Sequence, residues 1–166
     1  MSRNWRYYLP GYVMALPHTV IGLLLCLVYR AHSWRWSDGC IECIAGDLIW
    51  GKPGAQTHGW LIVYRDEKAR QRADLRVHER CHVVQGMIGS VGYMAAYGIH
   101  FLWNYVRDHE YPDMERQPRW WRAYRGVWFE EQAYELQAGY LFTVQTLGAD
   151  WARGRWGHLD TGDRNT

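Results

Sequence analysis

His78-Glu79-Arg80-Cys81-His82 reads H-E-x-x-H, and the rest of the chain is best understood outward from it. On a helix, residues i and i+4 project from one face, about 6 Å apart along the axis. Two imidazoles so placed can share one Zn²⁺ at about 2.0–2.1 Å each. Glu79 points toward the same opening without binding the metal, and it can take a proton from a zinc-bound water. The five residues therefore specify a metal, a base and a geometry together.

The flanks suit a helix carrying such a motif. Asp66 is an N-cap for a helix expected over Glu67–Gln85, charged in its first half and motif-bearing in its second. Upstream, Gly59 to Tyr64 is rich in β-formers and reads as the best strand in the chain. Ser33-Trp34-Arg35-Trp36-Ser37 alternates in polarity, Asp38-Gly39 is a two-residue hairpin turn, and Cys40 to Ile44 is the return strand. Leu48-Ile49-Trp50 is a further short run, closed by the turn residues Gly51-Lys52-Pro53-Gly54.

Two apolar stretches stand out. Tyr12 to Tyr29 has 18 residues without a formal charge, with Arg3 and Arg6 before it and Arg30 and Arg35 after. That length is at the low end for a membrane span, and it also fits a core helix. Pro17 and His18 break it, which disfavours a cleavable signal. Val83 to Val106 carries no charge over 24 positions and is punctuated by Gly86, Gly89, Gly92 and Gly98. Small residues so spaced permit close helix packing. His100 and Asn104 inside the run favour a buried helix beneath the site over a second span. Arg107 to Arg119, with two prolines, reads as a loop, and Trp120 to Leu147 as helical.

At 166 residues the chain can bury a substantial core. Nineteen basic and 17 acidic residues leave a net charge of +2, with no electrostatic case for a nucleic-acid partner. Eleven Trp and 12 Tyr point to a core and cleft built of large rings, or to rings at a membrane interface. Cys40 and Cys43 form C-x-x-C, but Cys26 and Cys81 do not complete a zinc knuckle. Residues three apart on a strand face opposite sides, so these read as buried thiols.

Two histidines do not complete a catalytic zinc site, which normally has three protein ligands. A third histidine at position 88 would mark one known pattern, but Ile88 stands there and Gln85 replaces its glycine. The candidates are then Glu130, Glu131 and Glu135 in Val127-Trp128-Phe129-Glu130-Glu131-Gln132-Ala133-Tyr134-Glu135. Glu130 shares a helical face with Ala133, Tyr134, Gln137 and Leu141, which favours it, with Glu131 the alternative.

His78 to Gln85 followed by Phe129 to Tyr134 resembles the small gluzincin-type metallopeptidase-like domains, which often read H-E-x-x-H-V-x-Q and then N-P-x-E-x-x-A. Val127-Trp128 stand where that family has Asn-Pro. The resemblance implies an α+β, zincin-like fold: a small antiparallel sheet, the H-E-x-x-H helix, and a second ligand-bearing helix. It makes Glu130 the third zinc ligand and Glu79 the general base of peptide-bond hydrolysis. Oxyanion donors stay open among Tyr124, Tyr134, His100, His109 and Arg125. Asp74, one turn before His78, and Glu135, one turn past Glu131, are candidate acids to support the histidines. The expected substrate is a peptide or protein laid along the edge of the 59–64 strand. The competing reading is a non-catalytic zinc-binding or membrane-associated module with a structural metal. Organisation is read as an apolar N-terminal helix (1–32), a catalytic domain (33–148) and a polar tail (149–166). The location is a membrane, reached through residues 12–29, or else the cytoplasm.

Overall fold

The computed structural model describes residues 5–37, 39–46, 54–107 and 116–147. The order of elements is α1 (Trp5–Val28), β1 (His32–Ser37), β2 (Cys40–Ile44), β3 (Ala55–His58), β4 (Leu61–Tyr64), α2 (Glu67–Gln71), α3 (Ala73–Arg107), α4 (Arg119–Arg125) and α5 (Trp128–Leu147). The architecture is mixed α+β, with one four-stranded sheet in the order β1-β2-β4-β3.

Local chemistry sets the turns. Ser37 pairs with Cys40 across the two-residue connection, and Gly39 there sits at φ +82°, where a side chain would be strained. Asp66 Oδ1 accepts from Ala69 N at 2.7 Å and opens α2. The expected single helix from Glu67 to Gln85 does not form, because Arg72 adopts an extended ψ of 109° and closes α2 after one turn. The helical stretch expected from Trp120 to Leu147 is likewise divided, by Gly126 and Val127, into α4 and α5.

The sheet is mixed, not antiparallel as expected. β4 is buried at all four positions, so it takes the centre, where both faces are covered. Leu61 and Val63 pack with Cys26, Cys43 and Ala45 on the α1 side, while Ile62 and Tyr64 pack with Cys40, Ile44 and Val83 on the α3 side. β3, not foreseen from the sequence, forms a hairpin with β4, and β4 then pairs β2 in parallel. The strand expected to offer a free edge therefore has none. Among the described residues the outer strands are β1 and β3. Cys40 and Cys43 do face opposite sides of the sheet, and Cys26 Sγ lies 3.6 Å from Cys43 Sγ. The fully buried Glu42 accepts from Arg35 at 2.7 Å and lies 3.6 Å from the guanidinium of Arg80.

Helix α3 is broken at Ser90 (φ 48°, ψ −140°) into two legs, 73–89 and 91–107. The Ser90 hydroxyl donates to Met14 O at 2.7 Å and ties the break to α1. The second leg is not the buried helix expected from its sequence. Its polar groups turn inward, while Val91, Ile99 and Val106 are 60–71 % exposed.

Gly59 sits where α1, α3 and the β3–β4 turn converge. Its φ is +62°, and a Cβ there would lie 2.2 Å from Thr19 Oγ1 and 2.6 Å from Ala15 O. Neither the backbone conformation nor the space admits a side chain. Gly59→Ala is expected to cost at least about 2 kcal/mol, read as a lowered midpoint of thermal unfolding. An unchanged midpoint would show that this junction is looser than its contacts suggest.

The run 48–50, Asp38, His109, Pro112 and the tail 149–166 lie outside the described residues, while Pro118 stands at the start of α4.

Candidate metal centre

The first leg of α3 carries His78 and His82 one turn apart on its buried face, their Nε2 atoms 3.2 Å from each other. α5 brings Glu130 to them from the opposite side. Glu130 lies on the helix stripe formed with Val127, Ala133 and Tyr140, all buried, so packing that stripe aims the carboxylate inward. Its Oε2 is 3.4 Å from His78 Nε2, and its Oε1 is 3.3 Å from His82 Nε2. Three donors bound tetrahedrally at about 2.05 Å would stand about 3.3 Å apart. The three separations in the structure match that triangle. Glu131, one residue on, is not part of the group.

The start of α5 is held by bonds reaching across the chain. Asn104 Nδ2 donates to Gly126 O at 2.6 Å and to Ala123 O at 3.3 Å. His100 Nδ1 accepts from Trp128 N at 3.2 Å, one of the orphan donors at a helix start. Gln85 joins the two halves of the site. Its Nε2 donates to Phe129 O at 3.1 Å, which leaves Oε1 to face His82 Nδ1 at 2.8 Å. The carbonyl of Phe129 can only accept, so the Gln85 amide orientation is determined and His82 Nδ1 carries the proton. Nε2 is then the bare, metal-binding nitrogen. Tyr97 donates to Glu130 Oε1 at 2.8 Å, and the Tyr93 hydroxyl lies 3.3 Å from His82 Nδ1.

The electrostatics favour a positive charge at this place. Burial opposes protonation of His82, but the hydrogen bond and charge of Glu130, with Glu79 and Gln85 behind them, lift its pKa to about 9. Burial would likewise raise Glu130, yet its bonds to the two histidines hold it well below the usual carboxylate range. A cation in the triangle would replace the proton as the charge that Glu130 balances.

Glu79 follows His78 on α3, is buried with it, and acts on His82 through its charge. Its Oε2 accepts from Thr57 Oγ1 at 2.8 Å, which anchors the carboxylate to the edge strand β3. Tyr134 packs its ring edge-on to His78 at 4.4 Å, with the Arg125 guanidinium 3.3 Å above that ring. Of the other groups weighed from sequence, His100 caps α5 and Asp74 bonds Arg72 and Gln137. Thr57, Tyr93 and Tyr97 were not legible as site residues, because each arrives from an element whose position depends on the whole fold. Gln85 had a signal, standing three residues past His82 at the glutamine of the H-E-x-x-H-V-x-Q pattern.

The site is enclosed. His78, Glu79, His82 and Glu130 are each no more than 7 % exposed. Within the described residues, His78, His82 and Glu130 make a buried group that could hold a metal ion.

No protein-family model, curated protein or solved structure matches this chain.

The arrangement therefore stands on its own chemistry. Two neutral imidazoles and one carboxylate suit a borderline divalent cation, and they leave a fourth tetrahedral position for a water or a substrate atom.

Proposed function

We propose that the protein is a zinc-dependent hydrolase of peptide bonds, built on a gluzincin-like His-Glu-x-x-His…Glu arrangement. The observation that carries this reading is the 3.2–3.4 Å triangle of His78, His82 and Glu130 with the anchored carboxylate of Glu79 beside it. A divalent cation bound there supplies Lewis acidity to a carbonyl and to an attacking water. Glu79 accepts the water's proton and passes it to the leaving amine. Thr57 holds Glu79 in place from β3. Because Thr57 lies on the outer strand, an extended peptide paired to β3 would run past Glu79, the role first expected of the central strand. Tyr134, packed on His78 and free of the bonds that tie Tyr97 to Glu130 and Tyr93 to His82, is the phenol we assign as donor to the developing oxyanion.

The test is digestion of a peptide library by the purified protein, with and without a chelator and with zinc restored. Cleavage that disappears with the chelator and returns with zinc is the expected result. The burial of the group favours one other reading, a structural metal that staples α3 to α5. Stoichiometric zinc, no cleavage of any peptide, and unfolding on chelation would establish that reading instead.

The second part of the proposal is a membrane location. Leu9–Val28, within α1, is long and apolar enough to cross a membrane, and 28 % of it is buried against the rest of the protein.

A further inference from the structure

Helix α1 is inside out relative to a helix of a water-soluble protein. Its buried face is small or polar: Ala15, His18, Thr19, Gly22 and Cys26. Its outward face is aliphatic, with Val13, Leu24, Leu27 and Val28 between 58 and 74 % exposed. The second leg of α3 repeats the pattern. Tyr93, Tyr97 and Asn104 turn their polar atoms inward to His82, Glu130 and the α4–α5 corner, and Val91, Ile99, Leu102 and Val106 point outward. Helix α1 and this leg adjoin, since Ser90 bonds Met14 O and the rings of His18 and Tyr93 lie 6.3 Å apart. Together they present an uncharged apolar surface, the kind of contiguous patch that marks an interaction site.

The border of this surface has the chemistry of a lipid headgroup layer. At the end of α3 the Arg107 guanidinium lies 3.9 Å above Trp103, and Arg119 sits 4.8 Å over Tyr105 while donating to Val106 O. Trp103 and Trp120 are both about half exposed. Arg30, at the end of α1, is also exposed. Cations and amphipathic rings around an apolar face complement anionic phosphates above acyl chains.

The packing of α1 decides how it meets the bilayer. Its inner face packs on α3, where Gly11 faces Met87, and on the sheet and its β3–β4 turn, from Tyr12 against Trp60 to Cys26 against Cys43. If α1 crossed the hydrocarbon, the sheet would stand at the same depth, with Arg35, Glu42 and the outer edge of β1 beside it. Unpaired backbone groups and charges at that depth are not sustainable. We therefore propose that the protein is monotopic: α1 and the second leg of α3 lie along one leaflet, aliphatic faces in the acyl chains, with the metal centre held at the membrane surface. This rests on the membrane location proposed above and specifies its geometry.

The protein, residues 1–166, should float with vesicles of phosphatidylcholine and phosphatidylglycerol. Leu24→Asp combined with Ile99→Asp should lower the bound fraction at least about tenfold while zinc content and helical circular dichroism stay unchanged, because both side chains face outward. Nitroxide labels at Val20 and Leu102 should both report shallow depth in a single leaflet. Failure of the wild-type protein to float, or equal binding by the double variant, overturns the membrane location itself. A monodisperse dimer in detergent-free buffer without flotation does the same and assigns the surface to a second copy. Flotation with labels along α1 distributed from one headgroup layer to the other overturns only the monotopic arrangement.

Discussion

Replacing Glu130 with alanine should strip the protein of zinc. Elemental analysis after dialysis against zinc should show about one ion per chain in the wild type and close to none in the variant. The carboxylate is the only anionic member of the triangle, and it touches both imidazoles. Without it, two rings whose Nε2 atoms are 3.2 Å apart would have to hold a dication in a buried space, with no charge to balance it. His82→Ala should do the same by removing a neutral donor. Glu130→Gln keeps the volume and the acceptor but not the charge, which separates loss of metal from loss of packing. Full zinc occupancy in both Glu130→Ala and His82→Ala would remove the site as drawn. Retention in Glu130→Ala alone would transfer the third ligand to another acid, with Glu131 first to be tested.

Glu79→Gln should have the opposite signature, unchanged zinc with hydrolysis lowered about 10²- to 10⁴-fold, the usual contribution of a positioned general base. Glutamine fills the same volume and can still accept from Thr57, so the edge strand should keep its place. The amide cannot take up a proton at neutral pH, so kcat is expected to fall with little change in KM. Lost zinc in this variant would make Glu79 a ligand instead of a base. Undiminished hydrolysis would leave the metal site intact and assign the proton transfer to another group.

The features legible from sequence are those governed by short-range geometry. A helix of 3.6 residues per turn puts His78 and His82 on one face whatever surrounds it. Asp66 caps because a short acceptor one step before a helix start meets an N–H three residues on. The β1–β2 hairpin follows from Gly39 and its two-residue connection. Where the reading departed from the structure, a long-range competition was at work. β4 looked like an edge strand, but its four apolar residues are better buried with a neighbour on each side. β3, the polar run Ala55-Gln56-Thr57-His58, has little strand propensity of its own and forms because β4 offers it a partner. The Val83–Val106 run was expected to be buried on grounds of polarity, but the break at Ser90 instead directs its few polar groups to the site and its aliphatic groups outward.

The sequence by itself determined the paired imidazoles, the adjacent carboxylate and the class of metal they suit, because spacing along one helix is a local property. Only the tertiary structure decided that Glu130, 48 residues past His82, closes the triangle, that Thr57 holds Glu79, and that the apolar faces of α1 and α3 point away from the core. Those depend on which buried surfaces find each other, a global balance of packing that no local pattern encodes.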